Sequence, residues 1–121
     1  MTSIQGMGRP ARLSIEERTA DGVRVVTVSG EIDHDTMGPV QEALLPPGAE
    51  APQRVVADLS AVTFMDSSGI NLFLAAHQQV SEDGGWLRVA GVQSAVQRVI
   101  DLVGLNLVID CRPTVEQALA D

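Results

Sequence analysis

A short polar segment between two apolar stretches, Asp66–Gly69, is the part of the sequence best suited to chemistry. Its residues, Asp-Ser-Ser-Gly, follow a strand-like run and precede a helix-like one. The Asp66 carboxylate can therefore cap the helix by accepting from the amides of its first turn. A helix start also favours negative charge, so a phosphate on Ser67 would lie near free backbone N–H groups. Taken alone, the tetrapeptide is more typical of an ordinary capped helix start.

A catalytic role for Ser67 fits the sequence less well. A nucleophilic serine needs an activating base, and the two histidines of the chain are His34 and His77. His34 could approach Ser67, but the sequence has no Gly-x-Ser-x-Gly elbow. His77 lies on the apolar side of a helical pattern, which favours a structural role. We therefore expect no catalytic residues and no enzyme.

Other chemistries lack the residues that they need. Asp58, near a strand end, resembles the phosphoacceptor of a receiver domain, but that chemistry also needs a lysine and the chain has none. A loop-anchoring role fits Asp58 better, because such carboxylates commonly bond turn amides. Two separated histidines and the single Cys111 offer no metal-binding spacing. Without a Gly-x-x-x-x-Gly-Lys loop, we expect no bound ATP and no cofactor.

The composition limits the partners. Acidic residues number 16 and basic residues 8, all arginine, for a net charge of −8. Such a chain repels phosphate backbones and anionic lipids, so we expect no direct nucleic acid and no membrane. The first residues do not resemble a signal peptide, and no segment approaches the roughly 20 apolar residues of a membrane span. Cys111, with no cysteine to pair with, is expected to be at least partly buried. The expected location is cytoplasmic.

The elements that would position Asp66–Gly69 follow from hydrophobic spacing. The chain of 121 residues suits one domain. Residues 1–10 are expected to be a flexible N-terminal segment, and residues 11–121 the domain. Leu13 and Ile15 alternate with polar residues as in a half-buried strand, and Ala-Asp-Gly at 20–22 predicts a turn into a second strand at 23–29. Gly30 would end that strand.

Helices and strands then alternate along the chain. The predicted helices carry apolar stripes at 37–44, 70–77 and 96–103, and a short helix at 115–120; the predicted strands are 54–59, 86–90 and 107–109. Ser94 with Gln97, and Thr114 with Gln117, fit helix-start caps, and Gly104 fits a C-terminal cap. The order β-β-α-β-α-β-α-β-α predicts an α/β domain with a mixed sheet of about four to five strands and about four helices.

Three motifs in this order carry a family resemblance. They are Gly-Glu-Ile-Asp-His-Asp-Thr at 30–36, Phe-Met-Asp-Ser-Ser-Gly at 64–69, and Ser-Ala-Val-Gln-Arg-Val-Ile at 94–100, followed by Val-Gly-Leu at 103–105. The set resembles the sulfate-transporter-and-anti-sigma-antagonist (STAS) domain, and most closely the stand-alone bacterial anti-sigma factor antagonists. The resemblance extends from about Leu13 to Ala120, and the paired motifs are more specific than either alone.

The resemblance implies a partner-switching cycle. In this family the unmodified protein binds an anti-sigma factor and so frees a sigma factor. The anti-sigma factor is also a serine kinase that uses ATP and magnesium, and it modifies the first serine after the motif aspartate, here Ser67. The phosphorylated antagonist dissociates, and a metal-dependent serine phosphatase restores it. The family also favours a monomer when unbound.

A docking surface is implied by the same resemblance. The loop at 30–36 would lie beside Ser67, so the expected partner-binding residues are Asp33, His34, Asp35, Thr36, Asp66, Ser67, Ser68 and Gly69. A phosphate of about −1.5 to −2 charge there would repel or desolvate a packed partner group. The alternative is a STAS scaffold or subunit of a transport or signalling assembly that is not phosphorylated. The intact Asp-Ser-Ser-Gly motif favours the switch.

Overall fold

The computed structural model describes residues 12–50 and 52–120. Its elements are β1 (Leu13–Ala20), β2 (Val23–Ile32), α1 (Met37–Leu44), β3 (Arg54–Met65), α2 (Ser67–Glu82), β4 (Trp86–Ala90), α3 (Ser94–Val103), a 3-10 turn (Leu105–Leu107), β5 (Asp110–Arg112) and α4 (Val115–Leu119). The predicted α/β class and element order are confirmed. The expected flexible segment 1–10 lies outside the described residues.

A five-stranded mixed sheet organises the domain, with the strands side by side in the order β1-β2-β3-β4-β5. The hairpin of β1 and β2 is antiparallel, and each later neighbour pairs in parallel. Parallel neighbours need a crossover, and the intervening helices provide it. The carboxyl ends of β2 and β3 therefore lie next to each other at one edge of the sheet.

Helices cover both faces of the sheet. Val55 and Ala57 of β3 belong to the main core, together with buried residues of α1, α2 and α3. Val56, which points to the other face, belongs to a second cluster with Ala118 of α4. The apolar run at 55–57 predicts this arrangement, because a central parallel strand buries both of its faces.

Both strands that lead to Ser67 are longer than the sequence predicts. β2 continues past Gly30 to Ile32, and β3 continues past Leu59 to Met65. The two extensions pair with each other, Ile32 opposite Met65, after register shifts near Ser29 and Gly30. This pairing keeps polar residues such as Ser60 and Thr63 extended, although local preference alone would end the strand.

The predicted strand at 107–109 is wrong. Leu105–Leu107 forms a 3-10 turn after the left-handed cap at Gly104, and the strand that pairs with β4 is Asp110–Arg112. Leu107 is 86% exposed, so the apolar run does not mark a buried strand here.

The predicted helix caps have mixed outcomes. Thr114 caps α4, where its hydroxyl accepts from the Gln117 amide at 3.1 Å. Gly104 caps α3 as predicted, with φ 77°. The capping box at Ser94 is wrong, because Ser94 is already helical and the N-cap is Gln93. The Gln97 side chain instead donates to Asp101 along the helix, at 2.8 Å.

Candidate functional site

The loop after β2 and the start of α2 meet where β2 and β3 end. The Asp66 amide donates to the Ile32 carbonyl at 3.2 Å, which joins the start of α2 to the end of β2. The loop at 33–36 follows Ile32 directly, so it lies beside Ser67. The long parallel pairing of the two strands produces this contact, and ligands of open α/β sheets commonly bind at such an edge.

Asp66 caps α2 as the sequence predicts. Its Oδ1 accepts from the Ser68 amide at 2.8 Å and the Gly69 amide at 3.3 Å. The Ile70 amide donates to the Asp66 carbonyl. The sequence suggested free amides near Ser67, but these three are already bonded. A phosphate on Ser67 would therefore share the helix start with the Asp66 carboxylate. Ser67 itself is exposed.

Gly69 lies beneath this surface. A Cβ at this position would come within 2.5 Å of Met65 Cγ and 3.0 Å of Ile32 Cγ2. Glycine therefore allows the first turn of α2 to pack closely against the ends of both strands. Ser68 is half-buried, so Ser67 is the more accessible serine of the pair.

Hydrogen bonds fix the neighbouring loop. Asp33 Oδ1 accepts from the Asp35 amide at 2.9 Å and the Thr36 amide at 3.1 Å. The Thr36 hydroxyl donates to the Glu31 carbonyl at 2.7 Å and accepts from the Asp33 amide at 2.9 Å. Thr36 is 8% exposed. Asp33 and Thr36 thus shape the loop from inside, while His34 and Asp35 are exposed.

Arg12 forms ion pairs with the acidic side chains of this loop and of the end of β2, and no motif in the sequence identifies it. Its guanidinium is paired with Asp33, with Glu31 at 3.2 Å and with Asp35 at 3.7 Å. Partial desolvation opposes ionisation of Asp33, but the amides of Thr36 and Asp35 and the Arg12 charge together lower the pKa of its carboxyl. The hydrogen bond to Glu31, with the nearby Asp33 charge, raises the pKa of Arg12. The hairpin register could have revealed Arg12, because it precedes Leu13, which pairs with Gly30.

A largely apolar groove of about 570 Å³ adjoins Ser67, between the end of β3, α2 and α3. It is lined by Phe64, Met65, Asp66, Ser67, Ile70, Asn71, Leu74, Val99 and Val103. Leu74, which falls within the apolar stripe predicted at 70–77, is 36% exposed here. The groove depends on the distance between two helices, and no sequence signal identifies it.

The remaining sequence candidates have structural environments. Asp58 Oδ1 accepts from the Ser60 amide at 3.0 Å, the expected loop-anchoring role. Cys111 is partly buried as expected, and burial raises the pKa of its thiol. His77 is half-buried on α2, and its Nδ1 has no hydrogen-bond partner. Within residues 12–50 and 52–120, no hydrogen bond joins a histidine to Ser67, and no cluster of His, Cys, Asp and Glu could hold a metal ion.

In the described part of the chain, no helix combines the length and apolarity needed to traverse a lipid bilayer.

Comparison with known proteins identifies the family. The STAS domain model matches residues 14–118. An anti-sigma-B factor antagonist of Staphylococcus epidermidis is 33% identical over 94 residues, which are 78% of this chain and 87% of that protein. An anti-sigma F factor antagonist of Paenibacillus polymyxa is 36% identical over 98 residues, 77% of this chain and 80% of its own length.

Among solved structures, an anti-sigma factor antagonist from Mycobacterium paratuberculosis superposes with a TM-score of 0.79 at 34% identity. The match covers 88% of this chain and 91% of that one. These relatives are named as regulators, which agrees with the expectation that the chain is not an enzyme. The fold, the motif-bearing helix start and these matches together show that the chain belongs to the STAS domain family of anti-sigma factor antagonists.

Proposed function

We propose that this chain is an anti-sigma factor antagonist whose unphosphorylated form binds an anti-sigma factor, and that phosphorylation of Ser67 ends the binding. The observation that carries the proposal is the exposed Ser67 at the first position of α2, beside the loop at 33–36. The relatives named as antagonists of anti-sigma factors supply the class of partner.

The position of Ser67 suits a kinase substrate. Its side chain is exposed, and the helix start is held by the Asp66 cap and not by Ser67. Modification of the hydroxyl therefore breaks no hydrogen bond within residues 12–50 and 52–120. The positive end of the helix dipole partly offsets the added charge.

The acidic residues around Ser67 make the charge of an added phosphate important for binding. Among the residues that the structure describes, Glu31, Asp33 and Asp35 all pair with the one cation of Arg12, and Asp66 adjoins Ser67. A phosphate adds about −1.5 to −2 charge to this already acidic edge. A coupling of about 1–3 kcal/mol, typical of such switches, would change partner affinity roughly 5- to 150-fold.

The proposed partners follow from the cycle. They are an anti-sigma factor with serine kinase activity and a metal-dependent serine phosphatase that acts on phospho-Ser67. The proposed docking residues are those of the loop at 33–36 and of the start of α2: Asp33, His34, Asp35, Thr36, Asp66, Ser67, Ser68 and Gly69. We place the cycle in the cytoplasm, with the unbound antagonist a monomer that does not itself contact nucleic acid.

Phosphopeptide mapping tests the assignment of the modified residue. The chain is incubated with its cognate anti-sigma kinase, ATP and magnesium, and the products are mapped by mass spectrometry. Phosphate is expected on Ser67, and Ser67→Ala should take up none. Phosphate on Ser68 or Ser60 alone would contradict the proposal. Ser94→Ala is the matched control, because Ser94 is also exposed at the first position of a helix but lies outside the proposed docking residues, and this variant should be modified normally.

A further inference from the structure

The groove beside Ser67 leaves apolar side chains uncovered. Phe64, at the end of β3, is 48% exposed, and Val103, at the end of α3, is 56% exposed; both line the groove. Leu74 of α2, which also lines the groove, is 36% exposed. Large apolar groups that remain open together in a concave site mark a surface for binding.

The groove is continuous with the proposed docking surface, because Asp66 and Ser67 form part of its wall. A partner that contacts the hydroxyl of Ser67 would therefore also cover the groove. We propose that the groove receives an apolar side chain of the anti-sigma kinase, an inference that rests on the proposed function.

The chemistry of the lining fixes the class of the inserted group. Six of the nine lining residues are apolar, and the polar ones, Asp66, Ser67 and Asn71, lie on the start of α2 and just before it. Such walls offer few partners to a charged or amide group, which would lose its hydration without compensation. An aliphatic or aromatic side chain has no such polar hydration to lose in the groove.

Charge argues against a second copy of this chain as the occupant. The chain carries −8 overall, and within the described residues the end of β2 and the loop at 33–36 present Glu31, Asp33 and Asp35, which share Arg12 as their ion-pair partner. Two copies that met at this edge would bring these carboxylates together. A different protein that presents an apolar side chain avoids this repulsion.

The groove also explains how a phosphate would end binding. A phosphate on Ser67 stands in the wall of the groove, so a partner side chain that enters would strip water from a dianion. Desolvation of an unpaired charge is costly whatever the charge of the partner. Release therefore depends mainly on desolvation and only weakly on like-charge repulsion.

Calorimetric titration with the purified anti-sigma kinase, at a constant nucleotide concentration, tests the occupant. Leu74→Gln and Val103→Gln should each weaken binding about 10- to 100-fold, because the burial of one apolar side chain is lost. Leu107→Gln is the matched control, because Leu107 is 86% exposed but lies outside the groove. The affinity of this variant for the kinase should stay within about twofold of wild type. Circular dichroism confirms that each variant is folded. Unchanged affinity for both groove variants would overturn the inference.

Salt separates desolvation from repulsion. Raising sodium chloride from about 0.1 M to about 1 M shortens the Debye length from about 10 Å to about 3 Å and screens like charges. The phosphorylated chain should stay at least about tenfold weaker than the unmodified chain at both concentrations. Recovery of nearly full affinity at high salt would overturn the desolvation mechanism.

The same titrations distinguish failure of the inference from failure of the proposed function. Binding that phosphate abolishes, but that Leu74→Gln and Val103→Gln leave intact, overturns the groove alone. A wild-type chain that does not bind the kinase overturns both. A wild-type dimer in sedimentation that Val103→Gln dissociates, with kinase binding unchanged, would assign the groove to a second copy and overturn the inference.

Discussion

The acidic residues near Ser67 have distinct roles when each is considered singly. Asp66 caps α2, Asp33 caps the neighbouring loop, and Asp35 is exposed on its surface. Ser67, by contrast, is exposed at the first position of α2, where added charge changes the surface and leaves the fold intact. Residue substitutions can therefore separate the switch from the scaffold that holds it.

Substitutions at Ser67 test the switch. Ser67→Ala should bind the anti-sigma partner permanently, and Ser67→Asp should bind more weakly, although one carboxylate carries less charge than a phosphate. Both variants should remain folded, since alanine is tolerated in a first turn and an acid is favoured there. Calorimetry with both variants measures the difference. Equal affinities in folded proteins would favour the scaffold alternative.

Asp33→Asn tests how the loop is held. The polar sequence around Asp33 suggests that substitution affects binding and hardly affects stability. The structure adds the bonds to Asp35 and Thr36 and the pairing with Arg12, so we expect a measurable loss of both. The folded-state pKa of Asp33 is lowered, so its charge stabilises the fold above the unfolded pKa of about 4 and ceases to do so as pH falls through the lower folded value. The stability difference between wild type and Asp33→Asn should therefore shrink from pH 6 toward about pH 3, as urea titrations can measure. A pH-independent difference would contradict this.

Among the elements, the paired extensions of β2 and β3 decide where the site forms. They carry the loop at 33–36 and the start of α2 to the same edge, and Asp66 bonds directly to Ile32. The extension requires an unusual backbone at Gly30, with φ 112°. A Cβ there would overlap the carbonyl of Arg12, the residue that pairs with the acidic loop.

Two glycine-to-alanine substitutions test this role of Gly30. Gly30→Ala should lower the free energy of unfolding by about 2 kcal/mol or more, because a strained φ and a backbone clash act together. Gly38→Ala is the control: apart from its chain neighbours and the backbone of its own helix, no atom of the described residues lies within 4 Å of a Cβ at this α1 position, and Pro39 offsets the helical preference of alanine, so the free energy of unfolding should change by less than about 1 kcal/mol. Urea unfolding measures both. A neutral Gly30→Ala would show that the hairpin can shift without cost.

At the scale of the whole molecule, one sheet joins two apolar clusters on opposite faces. The strands β2, β3 and β4 contribute to both clusters, so neither face can lose its packing without disturbing the other. Trp86, the only tryptophan, packs against the smaller cluster with Arg88 3.9 Å from its ring. The helices α1, α2 and α3 pack on the opposite face.

This arrangement predicts a single cooperative unfolding transition. Trp86 fluorescence reports on the α4 face, whereas far-ultraviolet circular dichroism reports mainly on the helices of the other face. The two urea curves should coincide, with an m-value of about 1–3 kcal/mol/M. Separate midpoints would show that the two faces unfold independently.

The sequence by itself determined the α/β class, the element order, the Asp66 cap and the family, because periodicity, capping residues and local motifs are properties of neighbouring residues. It missed the ends of β2 and β3, the true position of β5, the Arg12 pairing and the groove. Each of these depends on residues far apart in the chain: strand pairing overrides the local preference at Ser60 and Thr63, and the hairpin register brings Arg12 to Glu31. The helices α2 and α3 enclose the groove only because both pack on one face of the sheet. Local order therefore fixes the motif at Ser67, whereas long-range packing decides the surface that surrounds it.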